Sequence, residues 1–375
     1  MRSLFDVPDE GKNGSREEVP SMQPSMTSED DAELRKLVET LRVKISIIGC
    51  GGGGSNTARR VTQAGVSGAT IVACNSDARH LLAIQVPNKV LLGKSTTKGL
   101  GAGAIPEIGQ QAAEESEGDL RKYVQGANIV FVTAGMGGGT GTGSAPVVAE
   151  MARRQNALVI GIVTLPFKAE GRIRMENAMK GLNTLREHCD TTIVVQNDKL
   201  LELVPRLPIE AAFKVADEVL MQSIKGITEV VTKPALVNLD FNDILTIMKN
   251  GGIAMIGIGE ADSDDNDRVE KAIHDALSSP MLGDVDLHDA KGAMIRVVGG
   301  PDMTVTEAER AAELVSQAVN PRARVIWGCA VEPEMKGKLS AMVIITGLKQ
   351  NVIAPKTEPA VCPPAPAKPA PPRVR

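Results

Sequence analysis

Hydrophobic and polar positions divide the chain into stretches of different grammar. Residues 1–28 are polar, carry Pro8, Pro20 and Pro24, and show no periodicity, which predicts a disordered N-terminal arm. A helix is expected next. Ser28 can cap it, Glu29, Asp30 and Asp31 suit its positive end, and Leu34, Leu37, Val38 and Leu41 form one apolar face. From Val43 to about Thr232, short apolar runs alternate with amphipathic segments, the pattern of a parallel sheet flanked by helices. Strands are expected over 43–49, 70–75, 128–133, 157–164 and 191–196, and helices over 56–63, 106–124, 143–154, 172–188 and 209–231. The last helix is long and closes at Lys233-Pro234. A second unit follows, with strands over 252–259, 292–298, 324–331 and 341–346. The predicted fold class is therefore α/β: a first domain over 29–208, a central helix over 209–232, and a smaller mixed αβ domain over 233–350. Residues 351–375 form a tail, and 354–375 hold 8 prolines, four Lys or Arg and one Glu, so an extended mobile arm is expected.

Composition narrows function by exclusion. The chain has a net charge of −4 and only five Phe, one Trp and one Tyr among 375 residues. A nucleic-acid partner needs clustered cations or a platform of rings, and neither is supplied. Cys50, Cys74, Cys189, Cys329 and Cys362 are odd in number and include no CxxC pair, which argues against a zinc knuckle or a disulfide framework. No residue set has metal-ligand spacing. The four histidines show no HExxH arrangement, and the N-terminus has no signal-peptide pattern. The longest apolar run, near 157–167, is too short to span a bilayer. A soluble cytoplasmic protein is expected.

Glycine is the residue in surplus, and its placement carries the chemistry. Gly49-Cys50-Gly51-Gly52-Gly53-Gly54-Ser55-Asn56 follows a predicted strand and opens a predicted helix, where glycines let backbone N–H groups approach an anion. It contains GxGxxG, but the acidic residue of a dinucleotide site is matched only imperfectly, by Asn75 and then Asp77. A second loop, Gly135-Met136-Gly137-Gly138-Gly139-Thr140-Gly141-Thr142-Gly143-Ser144, follows a later strand, and its threonine hydroxyls add donors. Two such loops at one sheet edge suggest several phosphates gripped from two sides. A third stretch, Gly99-Leu100-Gly101-Ala102-Gly103, reads equally as a wrap for a terminal phosphate or as a tight turn. Together these three segments hold 14 of the 37 glycines. Gly93-Lys94-Ser95 echoes a P-loop without its first glycine, and Asp262-x-Asp264-x-Asn266 echoes an EF-hand without its Gly or final Glu.

The GGGTGTG run at 137–143 resembles the tubulin/FtsZ family of GTP-binding cytoskeletal proteins. GCGGGGSN at 49–56, NSDA at 75–78, GLGAG at 99–103, TLPF at 164–167, Glu170 with Arg174, NDKLL at 197–201 and NLDFND at 238–243 extend the likeness in order. It covers about residues 30–350 and is nearest the archaeal-type FtsZ branch. The resemblance implies GTP and GDP as ligands, with Mg²⁺ held mainly by phosphates and water. It implies that Gly51, Gly52, Gly53, Gly54 and Asn56 line one side of the nucleotide, with Gly141, Thr142 and Gly143 on its phosphates. Ala102 and Gly103 would sense the γ-phosphate, Glu170 and Arg174 would approach the ribose, and Asn197, Phe213 and Asp217 would form the base site. A carboxylate at Asp217 could accept from guanine N1–H and N2–H₂, an edge adenine lacks.

By the same resemblance, Asn238, Asp240 and Asp243 act in trans on the γ-phosphate of a neighbouring subunit in a head-to-tail homopolymer, orienting the attacking water. Hydrolysis would then require assembly, as expected of a division-ring protein that works with division-site proteins and a membrane tether through its C-terminal tail. Departures from the pattern are Asn242 between the two acids, Ser55 for a second Asn, Gln196 for Pro, and the PPRVR ending. Two other readings stay open: a filament scaffold or regulator that binds GTP with little hydrolysis, and an NAD-dependent oxidoreductase resting on GxGxxG alone.

Overall fold

The computed structural model describes residues 43–203, 209–232, 240–262, 267–283 and 285–349. The N-terminal arm, the helix expected after it, Asn238 and the proline-rich tail lie outside the described residues. Within them, ten strands make one sheet: β1 (Ile45–Cys50), β2 (Ala69–Asn75), β3 (Asn88–Leu91), β4 (Ile129–Gly135), β5 (Leu158–Leu165), β6 (Thr191–Gln196), β7 (Gly252–Asp262), β8 (Gly292–Gly299), β9 (Arg324–Val331) and β10 (Lys338–Leu348). Their spatial order is β3-β2-β1-β4-β5-β6-β7-β10-β8-β9. The run from β3 to β7 is parallel, β10 lies antiparallel between β7 and β8, and β9 is parallel to β8. Every residue of β1 and β5 is buried, as expected for strands with helices on both faces.

The helices that matter for the site are α1 (Gly51–Gln63), α2 (Ala78–Ala83), α3 (Pro106–Glu115), α4 (Glu117–Val124), α5 (Thr140–Arg154), α6 (Arg172–His188), α7 (Asn197–Leu203), α8 (Ile209–Thr232) and α9 (Phe241–Met248). The expected two domains share the sheet, and the seam between them is short. Strands β6 and β7 pair only at Thr191↔Gly252, Thr192↔Ile253 and Ile193↔Ala254. The central helix α8 also ties the two halves. Its buried Val219, Leu220, Ile224 and Ile227 belong to the core on one face of the sheet. Its Gly226 sits so close to Met342 of β10 that a Cβ would lie 2.2 Å from the Met342 Cε. Glu229 pairs with Arg296 of β8.

Several elements differ from expectation. The helix expected over 106–124 is two, because the residues at its middle bond to the loop after β3. Ser116 Oγ accepts from Gly93 N–H at 3.0 Å, and the Glu115 carboxylate accepts from Ser95 N–H (2.8 Å), Thr96 N–H (3.0 Å) and the Thr96 hydroxyl (2.7 Å). Those bonds hold the Glu115 carboxyl down at about 2. The P-loop echo at Gly93-Lys94-Ser95 binds the chain's own groups: Gly93 N–H holds the Ser116 hydroxyl and Ser95 N–H the Glu115 carboxylate. Helix α1 begins at Gly51 rather than Asn56, so the first glycine run is a helix turn and not a loop. Strand β3 and helix α2 complete the open edge beside β2. No helix among the described residues is long and apolar enough to cross a membrane.

Candidate functional site

Strands β1 and β4 are neighbours in register, with Gly49 opposite Thr133 and Cys50 opposite Ala134. Helices α1 and α5 therefore open beside each other at the edge where these strands end. The first three N–H groups of each helix have no partner within it: Gly51, Gly52 and Gly53 in α1, Thr140, Gly141 and Thr142 in α5. Neither first turn carries an acidic residue, and both dipoles present their positive ends to the same edge. The arrangement suits a polyanion approached from two sides.

The glycines divide into two kinds. Gly52 faces open space, and Asn56 lies one turn along the same helix, half-buried. Gly51 has φ +70° and sits where a Cβ would come 2.5 Å from Gly141 N, so the two loops touch backbone to backbone. Gly53 lies against Gly135 in the same way, at 3.2 Å. Gly54 and Gly143 point elsewhere. A Cβ on Gly54 would lie 2.2 Å from Thr133 O, and one on Gly143 would lie 2.0 Å from Pro106 O of α3. These two glycines permit close packing rather than open the edge. Thr142 likewise turns inward, its hydroxyl accepting from Gly137 N–H at 2.8 Å, so what it can offer a ligand is its amide.

The third glycine stretch joins the same edge. Gly139 abuts Ala102, whose Cβ would be 2.9 Å from a Cβ on that glycine. Ile105 N–H donates to Ala102 O at 3.0 Å, and the Ser76 and Thr140 hydroxyls are hydrogen-bonded at 2.6 Å. The loop is also tightly wound: Lys98, Gly99, Gly101, Gly103 and Ala104 all have positive φ. Gly103 faces open space. Asp77 caps α2 through one carboxylate oxygen, Oδ1, which accepts from Arg79 N–H (2.9 Å) and His80 N–H (3.1 Å). Asn75 is buried and bonded to His80. The residue that ends β2 is thus a buried Asn75, where a dinucleotide site has an acid.

Beyond the phosphate edge, Glu170 and Arg174 form an ion pair at 2.5 Å, and Glu170 also accepts from Phe167 N–H at 2.9 Å. Arg174 lies beside the second loop, its carbonyl 2.7 Å from where a Cβ on Gly137 would be. Phe213, at the start of α8, is half exposed and meets the buried Phe167 edge to face, with ring centroids 5.0 Å apart. Asn197 opens α7 at the end of β6. It is buried, and its side-chain oxygen has no hydrogen-bond partner among the described residues. Asp217 faces Arg60 of α1 at 3.5 Å. Burial pushes the Asp217 carboxyl up to about 6 against the pull of Arg60 and Arg59. Sequence reasoning missed Arg60 and the supporting ring of Phe167. TLPF marked the latter, and nothing in the sequence spacing marked the former.

Asp240 and Asp243 lie elsewhere. Helix α9 leads into β7, whose Gly252 pairs with Thr191, the first residue of β6, and Thr191 Oγ1 donates to Met248 O at 2.5 Å. This is the edge where strands begin, opposite the glycine loops. Asp240 and Asp243 are exposed there at the head of α9, with Asp243 accepting from Asp240 N–H at 3.3 Å. Asn242 donates to the Asp240 carboxylate at 3.4 Å.

Two domain families match the sequence: "Tubulin/FtsZ family, GTPase domain" over residues 44–205, and "FtsZ family, C-terminal domain" over residues 252–349. The chain is 51% identical to "Cell division protein FtsZ 1" of Pyrococcus furiosus over 340 residues, 91% of this chain and 90% of that one. The fold is similar to an FtsZ dimer structure from M. jannaschii, with TM-score 0.81 and 44% identity over 89% of this chain and 100% of that one. It is also similar to a GTPγS-bound protofilament of CetZ2 from Haloferax volcanii, with TM-score 0.71 and 25% identity over 82% of this chain and 94% of that one. With half its residues shared across nine-tenths of both lengths, and both domains in order along one sheet, the chain belongs to the tubulin/FtsZ family of GTPases.

Proposed function

We propose that this chain is a GTP-hydrolysing cell-division protein whose active site is completed only between adjacent copies in a head-to-tail filament. Guanine-nucleotide binding, GTPase activity and self-association follow from the family. The observation that carries the finer reading is the separation of the two halves of the chemistry. The anion-binding edge holds two helix N-termini with no acidic residue in either first turn, while Asp240 and Asp243 stand exposed at the opposite edge. One copy stacked on the next brings these edges together, and a contact of that kind that does not close by rotation extends into a filament.

In this reading the first-turn amides of α1 and α5 hold the phosphates, and Ala102 and Gly103 meet the terminal one. Asn197, Phe213 and Asp217 take the guanine, and the unsatisfied oxygen of Asn197 is a ready acceptor for it. Glu170 keeps Arg174 beside the second loop. Asp240 and Asp243, together with Asn238, orient the water that attacks the neighbour's γ-phosphate. The residues present fit Mg²⁺ carried on the phosphates and water, since the loops offer amides and hydroxyls rather than carboxylates. The ion would supply charge neutralisation at the transferring phosphoryl group. Residues 29–208 would form the nucleotide-binding domain, and 233–350 the domain that brings the catalytic loop. The tail would reach division-site proteins or a membrane tether at the cytoplasmic face of the division site.

The test is phosphate release measured against protein concentration, with light scattering in parallel. Turnover per subunit should rise with concentration and track scattering. A rate independent of concentration well below the assembly threshold would refute completion in trans. Filaments without turnover would favour a scaffold that binds GTP with little hydrolysis.

A further inference from the structure

The base-reading carboxylate has a partner on a different element, and that partner has no part in the reading above. Arg60 is in the last turn of α1, the helix whose first turn faces the phosphates. Its Nε lies 3.5 Å from Asp217 Oδ2 and its Nη1 3.3 Å from Glu218 Oε2, both on α8. The Arg60 and Asp217 side chains are 21% and 19% exposed, so the pair is shielded from full solvent screening. The charged groups around Asp217 are few. Arg59 and Arg60 face it from α1, and Glu218 stands beside it on α8. On α7, which also packs on α8, Lys199 is paired with Glu202 at 3.1 Å, and Asp198 accepts from Lys168 N–H.

A carboxylate in this setting faces two opposed effects. Burial and the neighbouring Glu218 favour the neutral acid, while the guanidinium across the helix interface favours the anion. Only the anion can accept both guanine N–H groups. We infer that Arg60 is a positioning residue for guanine recognition: it keeps Asp217 ionised at neutral pH and oriented toward the base, and so ties base reading on α8 to the phosphate-binding helix α1. The inference rests on Asp217 being the guanine selector.

The experiment is the GTP dissociation constant of the full chain, from pH 5 to 8.5, for wild type, Arg60→Gln, Arg60→Lys, Asp217→Asn and the double variant Arg60→Gln/Asp217→Asn. The terminal phosphate also titrates near pH 6, at about its usual second ionisation. Each affinity is therefore read as a ratio to that of Asp217→Asn at the same pH. For wild type this ratio should hold steady above pH 7 and fall about tenfold per unit well below pH 6. Loss of a cation this close moves a carboxyl by about one unit. Arg60→Gln should therefore bind about fivefold more weakly than wild type near pH 6 and within about twofold of it at pH 8. Arg60→Lys should restore most of the profile. The double variant should match Asp217→Asn alone.

An equal weakening of Arg60→Gln at every pH would mean that Arg60 merely supports the fold, and an unshifted profile would mean that it does nothing to Asp217. Either overturns the inference while leaving the Asp217 assignment intact. If Asp217→Asn itself binds GTP like wild type with the same pH dependence, the assignment fails, and the inference with it.

Discussion

Gly143→Ala adds one methyl group where α5 crosses α3, and its effect can be worked from the contact. The new Cβ would lie 2.0 Å from Pro106 O, 2.5 Å from Gln110 N and 2.9 Å from Gly109 C. Carbon and oxygen normally stay about 3.3 Å apart or more, so the helices must separate by more than about 1 Å. Every atom met is backbone and cannot rotate away. The reciprocal contact is equally tight, since a Cβ on Gly109 would lie 2.2 Å from Gly139 O. Overpacking of this kind costs about 3 kcal/mol at the upper end of its range, offset by up to about 1 kcal/mol of better helix propensity. A net loss of about 2 kcal/mol should lower the melting temperature by about 3–6 °C. Displacing α3 also pulls on Ala102, which bonds to Ile105 at its head, so GTP affinity should fall together with stability. Gly118→Ala in α4 is the matched control, because nothing lies within 4 Å of its Cβ position. That change should leave the melting temperature equal or slightly higher. Differential scanning fluorimetry and equilibrium GTP binding read both variants. If Gly143→Ala keeps the wild-type melting temperature while losing GTP, the glycine serves the phosphate directly and the packing argument is wrong.

Asp243→Ala should bind GTP within about twofold of wild type and lose turnover by about 10²-fold or more, leaving filaments that persist in sedimentation assays; normal turnover would remove Asp243 from the chemistry. Asp217→Asn should melt no lower than wild type at pH 7 without nucleotide. The raised carboxyl holds a proton in the folded state that the unfolded chain releases between about pH 4 and 6, so stability from this group falls as pH rises through that window. A lower melting temperature would contradict that sign. On the acid side, Arg268 and the Gly337 N–H hold Asp302 down at about 2, a contribution present above about pH 4 and lost as pH falls toward 2. Arg268→Met should therefore flatten the fall in melting temperature between those limits; an unchanged slope would count against the cluster.

Much of the first half was legible because its strands are buried on both faces and read as unbroken apolar runs. Strand β6 and helix α6 fall where periodicity puts them, at 191–196 and 172–188. Strand β3 was not legible: it is four residues long, includes Lys89, and is recruited by pairing with β2 rather than by its own pattern. The break at Ser116 was hidden for a similar reason, since it is set by Gly93, Ser95 and Thr96 from a distant loop. At the site, the glycine runs announced an anion-binding edge, but their residue type could not tell Gly52, which faces space, from Gly54, which faces Thr133. Only the neighbours of a missing side chain reveal why it is missing. Arg60 stayed invisible because a pairing across 157 positions leaves no local signal.

The short seam of the sheet has a mechanical meaning. In the proposed filament, tension enters a subunit at the glycine-loop edge of its first half and leaves through the head of α9 in its second. Between those points it crosses three ladder pairs from β6 to β7, whereas β4 and β5 share seven. Parallel strands loaded along their length resist as a row, so the row with fewest rungs yields first. Helix α8, with Glu229 on Arg296, then becomes the safety strap that keeps the two halves from parting. The ladder from β6 to β7 and helix α8 are thus the connections through which such a load would pass from one half to the other.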